Sequence, residues 1–226
     1  MTQVNAKRQS LPIVIAITFS MVLFLYSLGH CECYEGDGAT AQVSRTLNVF
    51  DRIKVDGAYT VTVKRGELVQ CLLRGDRNLL YRVMTQVENG QLVIRNDGSL
   101  RMRQPLEIEL QLPNLLEFTA IGAHEVTITG IAEDAFSLIL NGANLAKVSG
   151  HVGVLRLQLD GSSILQGENL RASTIDLVAT GTTSVQVSVE NSLTVKATGL
   201  SDVIYSGEPS SVTVELSGLA ELNTAK

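Results

Sequence analysis

At 226 residues the chain has room for one ordinary domain plus a targeting segment. Its apolar share is 45%, made of Val, Leu, Ile and Ala with no Trp and 4% aromatics, so it can fill a core but offers few rings for stacking ligands. A net charge of −5 with 18% charged residues excludes a basic nucleic-acid footprint and fits a chain held largely in half-buried strands.

The first element is apolar. Lys7 and Arg8 precede Leu11 to Leu28, a stretch without a single charge, so residues 1–30 read as a signal peptide or a membrane anchor. Ser27 and Gly29 are the small residues a signal peptidase needs, with cleavage before His30. Left uncleaved, residues 11–28 just suffice to span a bilayer and would associate the protein with the membrane. A third reading is lipid attachment at Cys31, although His30 stands where that signal wants a small residue. All three put the rest of the chain outside the cytoplasm, in the envelope: periplasm, outer membrane or cell surface.

Residues 31–45 are small, polar and aperiodic and read as a flexible linker. Cys31 and Cys33 lie too close for an easy bridge and are too few for a zinc site. Cys71, inside the apolar run Val69 to Leu73, reads as a small buried hydrophobe.

Residues 46–226 form the folded domain. Ile53 and Val55 precede Gly57, and Val61 and Val63 follow it. Val69 to Leu73 is a strand, and Asp76 to Met84 a turn or short helix. Glu88-Asn89-Gly90 turns the chain into the strand Leu92 to Arg95. Leu106 to Leu112 alternates apolar and polar residues as a half-buried strand does, and leads into Pro113.

Regular coils occupy residues 112–226. Glycine returns every 18 to 20 residues, at Gly122, Gly142, Gly161, Gly181, Gly199 and Gly218. The positions four and two before each glycine and four after it are apolar in all eighteen cases, from Phe118, Ala120 and Val126 to Val214, Leu216 and Leu222. A fixed period of this size marks stacked units. The expected fold is therefore all-β: a single-domain parallel β-helix, or β-solenoid, with coils of about 19 residues. Leucine-rich repeats would need a fixed Asn and a helical return, and hexapeptide repeats an aliphatic residue every six positions. With Gly57 these six are the structural coil glycines, each at a corner where a Cβ would crowd the neighbouring coils. Gly130, Gly150 and Gly207 mark a second corner, with Gly167 two residues early and Val189 standing in for glycine in the fourth coil.

The register predicts lateral neighbours: Arg156 beside Asp176, and Lys196 beside Glu215. It also predicts an open C-terminal coil through which the chain could self-associate.

No catalytic, cofactor-binding or metal-ligating set emerges. His30 falls at the export boundary, and His124 and His151 fall at turns. His124 shares a column with Asn144, Ser163, Thr183, Ser201 and Ala220, two residues after each glycine, which reads as a row hydrogen-bonding along the stack. Asp160, Asp176 and Asp202 have different offsets and should point apart, unlike a hydrolase pair. Phe118 and Tyr205 fall on core columns and Phe136 opens a strand, so no aromatic sugar platform is evident. No phosphate loop follows any glycine.

Phe50-Asp51-Arg52-Ile53-Lys54-Val55-Asp56-Gly57, Asp76-Arg77-Asn78-Leu79-Leu80, the Gly90–Ile94 segment and Leu112-Pro113-Asn114-Leu115, followed by the Gly122 and Gly142 coils, resemble the head GIN domain family of auto-transporter adhesins. The resemblance covers about residues 46–226. It implies a pectin-lyase-like superhelix without catalytic residues, exported by bacteria to the envelope, and an adhesive role toward a surface protein or glycan. A carbohydrate-binding or carbohydrate-active protein, and a membrane-anchored scaffold or regulator, are the alternative expectations.

Overall fold

In the computed structural model, which describes residues 33–225, fifteen of the eighteen apolar frame positions are 2% exposed or less. The three exceptions, Val214, Leu216 and Leu222, all belong to the last repeat. The export segment and its cleavage or lipidation signals, including His30 and Cys31, lie outside the described residues. Among the described residues no helix is long and apolar enough to cross a membrane.

The chain is all-β. Short strands come first: β1 (Cys33–Glu35), β2 (Thr40–Ser44), β3 (Arg52–Gly57), β4 (Thr60–Arg65), β5 (Gln70–Asp76), β6 (Val83–Glu88), β7 (Gln91–Asn96), β8 (Ser99–Arg101), β9 (Glu107–Leu112) and β10 (Glu117–Gly122). Long, bent strands follow: β11 (Glu125–Gly142), β12 (Leu145–Gly161) and β13 (Ile164–Ser206), then β14 (Ser211–Gly218) and β15 (Glu221–Thr224). β1 pairs with β8, and the other thirteen strands join one sheet. Alternate residues on both sides of each corner glycine point into a single hydrophobic cluster, so the sheet curls around one core.

Pairing is parallel throughout residues 117–224 and keeps the predicted register. Phe118 stands opposite Ile53 on one side and Leu138 on the other, while Gly122 stands between Gly57 and Gly142. Arg156 faces Asp176, and Lys196 faces Glu215. The second pair closes to 3.0 Å, although at an exposed site such a bridge contributes only about 0–1 kcal/mol. The register itself is set by the apolar period, because a one-residue slip would turn every aliphatic side chain outward.

The sheet's other end is built differently. β7 continues the parallel stack on β3, but β6 then pairs antiparallel with β7. Their turn uses Asn89 and Gly90, both at positive φ. On the other flank β9 pairs in parallel with β4, β5 antiparallel with β9, and β2 antiparallel with β5.

The presumed linker therefore requires correction, because β1 and β2 lie within residues 31–45. Composition suggested flexibility, but long-range contacts order the segment. The Arg82 guanidinium sits 3.8 Å above the Tyr34 ring, Arg103 bonds Glu35 at 2.8 Å, and Asn78 Nδ2 donates to the Glu35 carbonyl at 2.8 Å. The turn or short helix expected within Asp76 to Met84 is present as a single 3-10 turn, Leu80–Arg82.

The second corner is less uniform than the sequence suggested. Gly150 stacks on Ile131, and Gly130 falls in a register shift between Ile128 and Ile131. Gly167 sits beside a second shift, between Lys147 and Ser149 on the facing strand. Val189 does stand next to Gly207, as expected.

Candidate functional site

The corner is the most constrained feature of the fold. Gly57, Gly122, Gly142, Gly161, Gly181, Gly199 and Gly218 form one column, each against the next. Gly181 shows why glycine is required there: its φ is +103°, and a Cβ would overlap the carbonyl oxygen of Gly161.

Two residues further on runs a buried polar column. His124, Asn144, Ser163, Thr183 and Ser201 are all 3% exposed or less. Tyr59 belongs to it too, at the same offset from Gly57, and its ring packs 5.3 Å from that of His124. The offset made Tyr59 recognisable in the sequence as the first member of this row.

His124 is fixed on both sides. Its Nδ1 accepts the Tyr59 backbone N–H at 3.3 Å, and its Nε2 donates to the Ile121 carbonyl at 2.9 Å. Its own backbone N–H donates to Asn144 Oδ1 at 3.2 Å. Burial lowers the imidazole pKa, partly opposed by the Ile121 bond, so the ring is held neutral. Further along, Ser163 donates to the Gly142 carbonyl and Ser201 to the Thr198 carbonyl. Asn144 Nδ2 and Thr183 Oγ1 have no partner within the described protein, so hydrogen bonding along the row is incomplete. The row satisfies backbone groups at the corner and presents nothing to solvent.

Asp76 is the other buried polar centre; in the sequence it belongs to the Asp76–Leu80 segment of the family resemblance, with no sign of a binding role. Its Oδ2 accepts the backbone N–H groups of Arg103 at 2.7 Å and Gln104 at 3.0 Å, and its Oδ1 that of Gly38 at 2.8 Å. Burial by itself raises the carboxyl pKa, but these three donors and the Arg103 charge together hold it below the usual range. One carboxylate thus clasps two loops from opposite ends of the first region. Cys71 is buried as predicted, and desolvation pushes its thiol up to about 11. That favours the unreactive thiol over the thiolate. Cys33 is exposed.

Asp160, Asp176 and Asp202 face Thr180, Arg156 and Glu221 respectively, so the register places them at different positions along the sheet. His151 is exposed. Phe136 does not open a strand as expected: it lies inside β11 and is 1% exposed, a core residue. Among the described residues no group of three His, Cys, Asp or Glu side chains is placed to share a metal ion. The surface has shallow hollows, one of about 420 Å³ between Tyr59, Arg103, Gln104 and Glu125.

Charge is unevenly placed, a signal the overall count hides. Residues 33–112 carry eleven Lys or Arg against ten Asp or Glu, whereas residues 113–225 carry four against twelve. The later repeats are strongly acidic.

A model of the family described as "Putative auto-transporter adhesin, head GIN domain" matches residues 49–209. No curated protein matches the chain. Among solved structures, a putative adhesin from Bacteroides fragilis is similar with a TM-score of 0.70 at 14% identity, covering 84% of this chain and 99% of that one. A putative adhesin from Parabacteroides merdae and a putative lipid binding protein from Parabacteroides distasonis each give a TM-score of 0.53 at 14% identity, covering 86% of this chain and 100% of theirs. At such identities the likeness is one of fold.

Proposed function

Since the chain belongs to the head GIN domain family of auto-transporter adhesins, we propose that it is a non-enzymatic, exported envelope protein that works by adhesion to a surface protein or glycan. Family membership suggests a cell-surface or envelope location. In this reading the curled sheet is a parallel β-solenoid, residues 1–30 supply export or anchoring, and the stack is a stiff carrier of binding surface.

One observation carries the reading: the continuous parallel register from Gly57 to Gly218. It lines up the outward residues of successive coils into straight columns, giving a broad face whose spacing is fixed by the backbone ladder. Such a face suits an extended contact better than enclosure of a small substrate, which needs a deep and mostly apolar cleft.

The test is a glycan and surface-protein array probed with the soluble chain beginning at Cys33, so that β1 and β2 stay in place. Saturable retention on a defined subset of spots is the expected result. A uniformly blank array, with the protein shown to be folded, would remove the adhesion reading.

A further inference from the structure

At its C-terminal end the sheet leaves its core uncovered. Val212, Val214 and Leu216 continue the columns of Leu193, Val195 and Ala197, which are 0–1% exposed, yet they are themselves 40–41% exposed. β14 and β15 pair with β13 alone, so the far edge of each offers unpaired backbone groups. The first region, by contrast, ends each flank of the sheet in antiparallel strands, β6 and β2.

Charge decides which occupant suits this edge. Residues 196–226 contain four carboxylates, Asp202, Glu208, Glu215 and Glu221, against two cations, Lys196 and Lys226. Asp202 stands directly opposite Glu221, a like-charge pair that costs stability. Among the described residues of this segment the one cation, Lys196, is already bonded to Glu215. A second copy presenting the same edge would bring four more carboxylates to it. A cation in the next register position would relieve them.

We propose that the β14–β15 edge is a docking surface that accepts an extended strand of another protein, with aliphatic residues at alternate positions and Lys or Arg between them. Main-chain bonds to the free edge supply affinity, the aliphatic side chains cover Val212, Val214 and Leu216, and the cations meet Glu215 and Glu221. The inference rests on the adhesion reading and names one place and one partner chemistry for it.

The neighbouring strand supplies a probe. A labelled peptide copying residues 192–206 with the substitution Asp202→Lys carries Leu193, Val195 and Ala197 for the open core, with Lys196 and the changed position for Glu215 and Glu221. A control peptide keeps Asp202 and carries Lys196→Glu. Both are titrated into the full chain by fluorescence anisotropy. The basic peptide is expected to bind at least about tenfold more tightly at low salt, with the gap closing near about 0.5 M salt. Glu215→Lys in the full chain should narrow or invert the preference, and Val214→Lys should abolish binding while circular dichroism stays unchanged.

Equal affinities, no saturable binding of the basic peptide at about millimolar concentration, or an unaltered preference in Glu215→Lys would each overturn the proposal. So would sedimentation showing the full chain dimerising through this edge and Val214→Lys restoring the monomer. The array separates the two readings. Retention that survives Val214→Lys leaves adhesion standing on the lateral face and sinks the edge proposal, whereas peptide binding with a blank array does the reverse.

Discussion

Before Pro113 the chain closes its end of the sheet with antiparallel strands, side-chain clasps and a buried carboxylate, whereas after Glu117 each unit simply stacks on the last through a glycine column. Both regions feed the same core. They differ in where specificity resides. In the stack every repeat uses the same local solution, so a change at one corner is felt mainly by its two neighbours. In the first region single residues hold together segments far apart in sequence, as Asp76 does for Gly38 and Arg103. Repetition yields a scalable surface, and the clasped region gives the stack a defined start.

The largest expected effect tests the corner. Gly181→Val combines a forbidden φ with overlap on a backbone oxygen and should cost about 3 kcal/mol or more in a denaturant melt. At Gly218, in the last repeat, an added Cβ would find its nearest atoms at 3.1 Å, so Gly218→Val should cost about 1 kcal/mol less than Gly181→Val. Thr180→Val, on the outward face, should stay within about 0.5 kcal/mol. Equal costs at positions 180 and 181 would break the corner assignment.

Asp76→Ala comes next. It strands three backbone donors and should cost about 2 kcal/mol, with protease sensitivity appearing first in residues 36–38 and 103–104. Because the folded carboxyl titrates below its free value, its contribution is present above that value, about 3.9, and is lost as pH falls through the lower folded one. Asp76→Ala should flatten the stability curve in that acid window.

The smallest effect concerns His124, at the join between the two regions. Its folded pKa is depressed, so the stability tied to the neutral ring is complete above about 6.5 and falls as pH drops toward the folded value. His124→Asn, which copies Asn144 of the next repeat, should remove the slope below about pH 6.5 and leave the acid window of Asp76 intact. A slope unchanged by the substitution would show that another group titrates there.

The stack was legible because its rules are local. A glycine, three apolar offsets and an outward polar residue recur with one period, and parallel pairing at that period follows. Lys196 could be paired with Glu215 on this basis alone. The first region was legible only in pieces. Its strands β3, β4, β5, β7 and β9 show in the alternation, but β1, β2 and β8 do not, since their ordering depends on partners 28 to 68 residues away. β6 was missed for another reason: its partner β7 is local, but its start falls inside the segment that reads as a turn or short helix. Asp76 looks in sequence like any turn aspartate. Nothing local announces that two distant loops will deliver their N–H groups to it.

The amino-acid order alone thus determined the period, the inward face and the glycine column, because each depends on alternation and backbone conformation over a few residues. Only the tertiary structure decided how antiparallel strands cover the flanks of the first region, and that Asp76 and His124 are buried. It also decided that Asp202 and Glu221 share an exposed edge. Those outcomes depend on which distant segments meet, and chain composition carries no record of that.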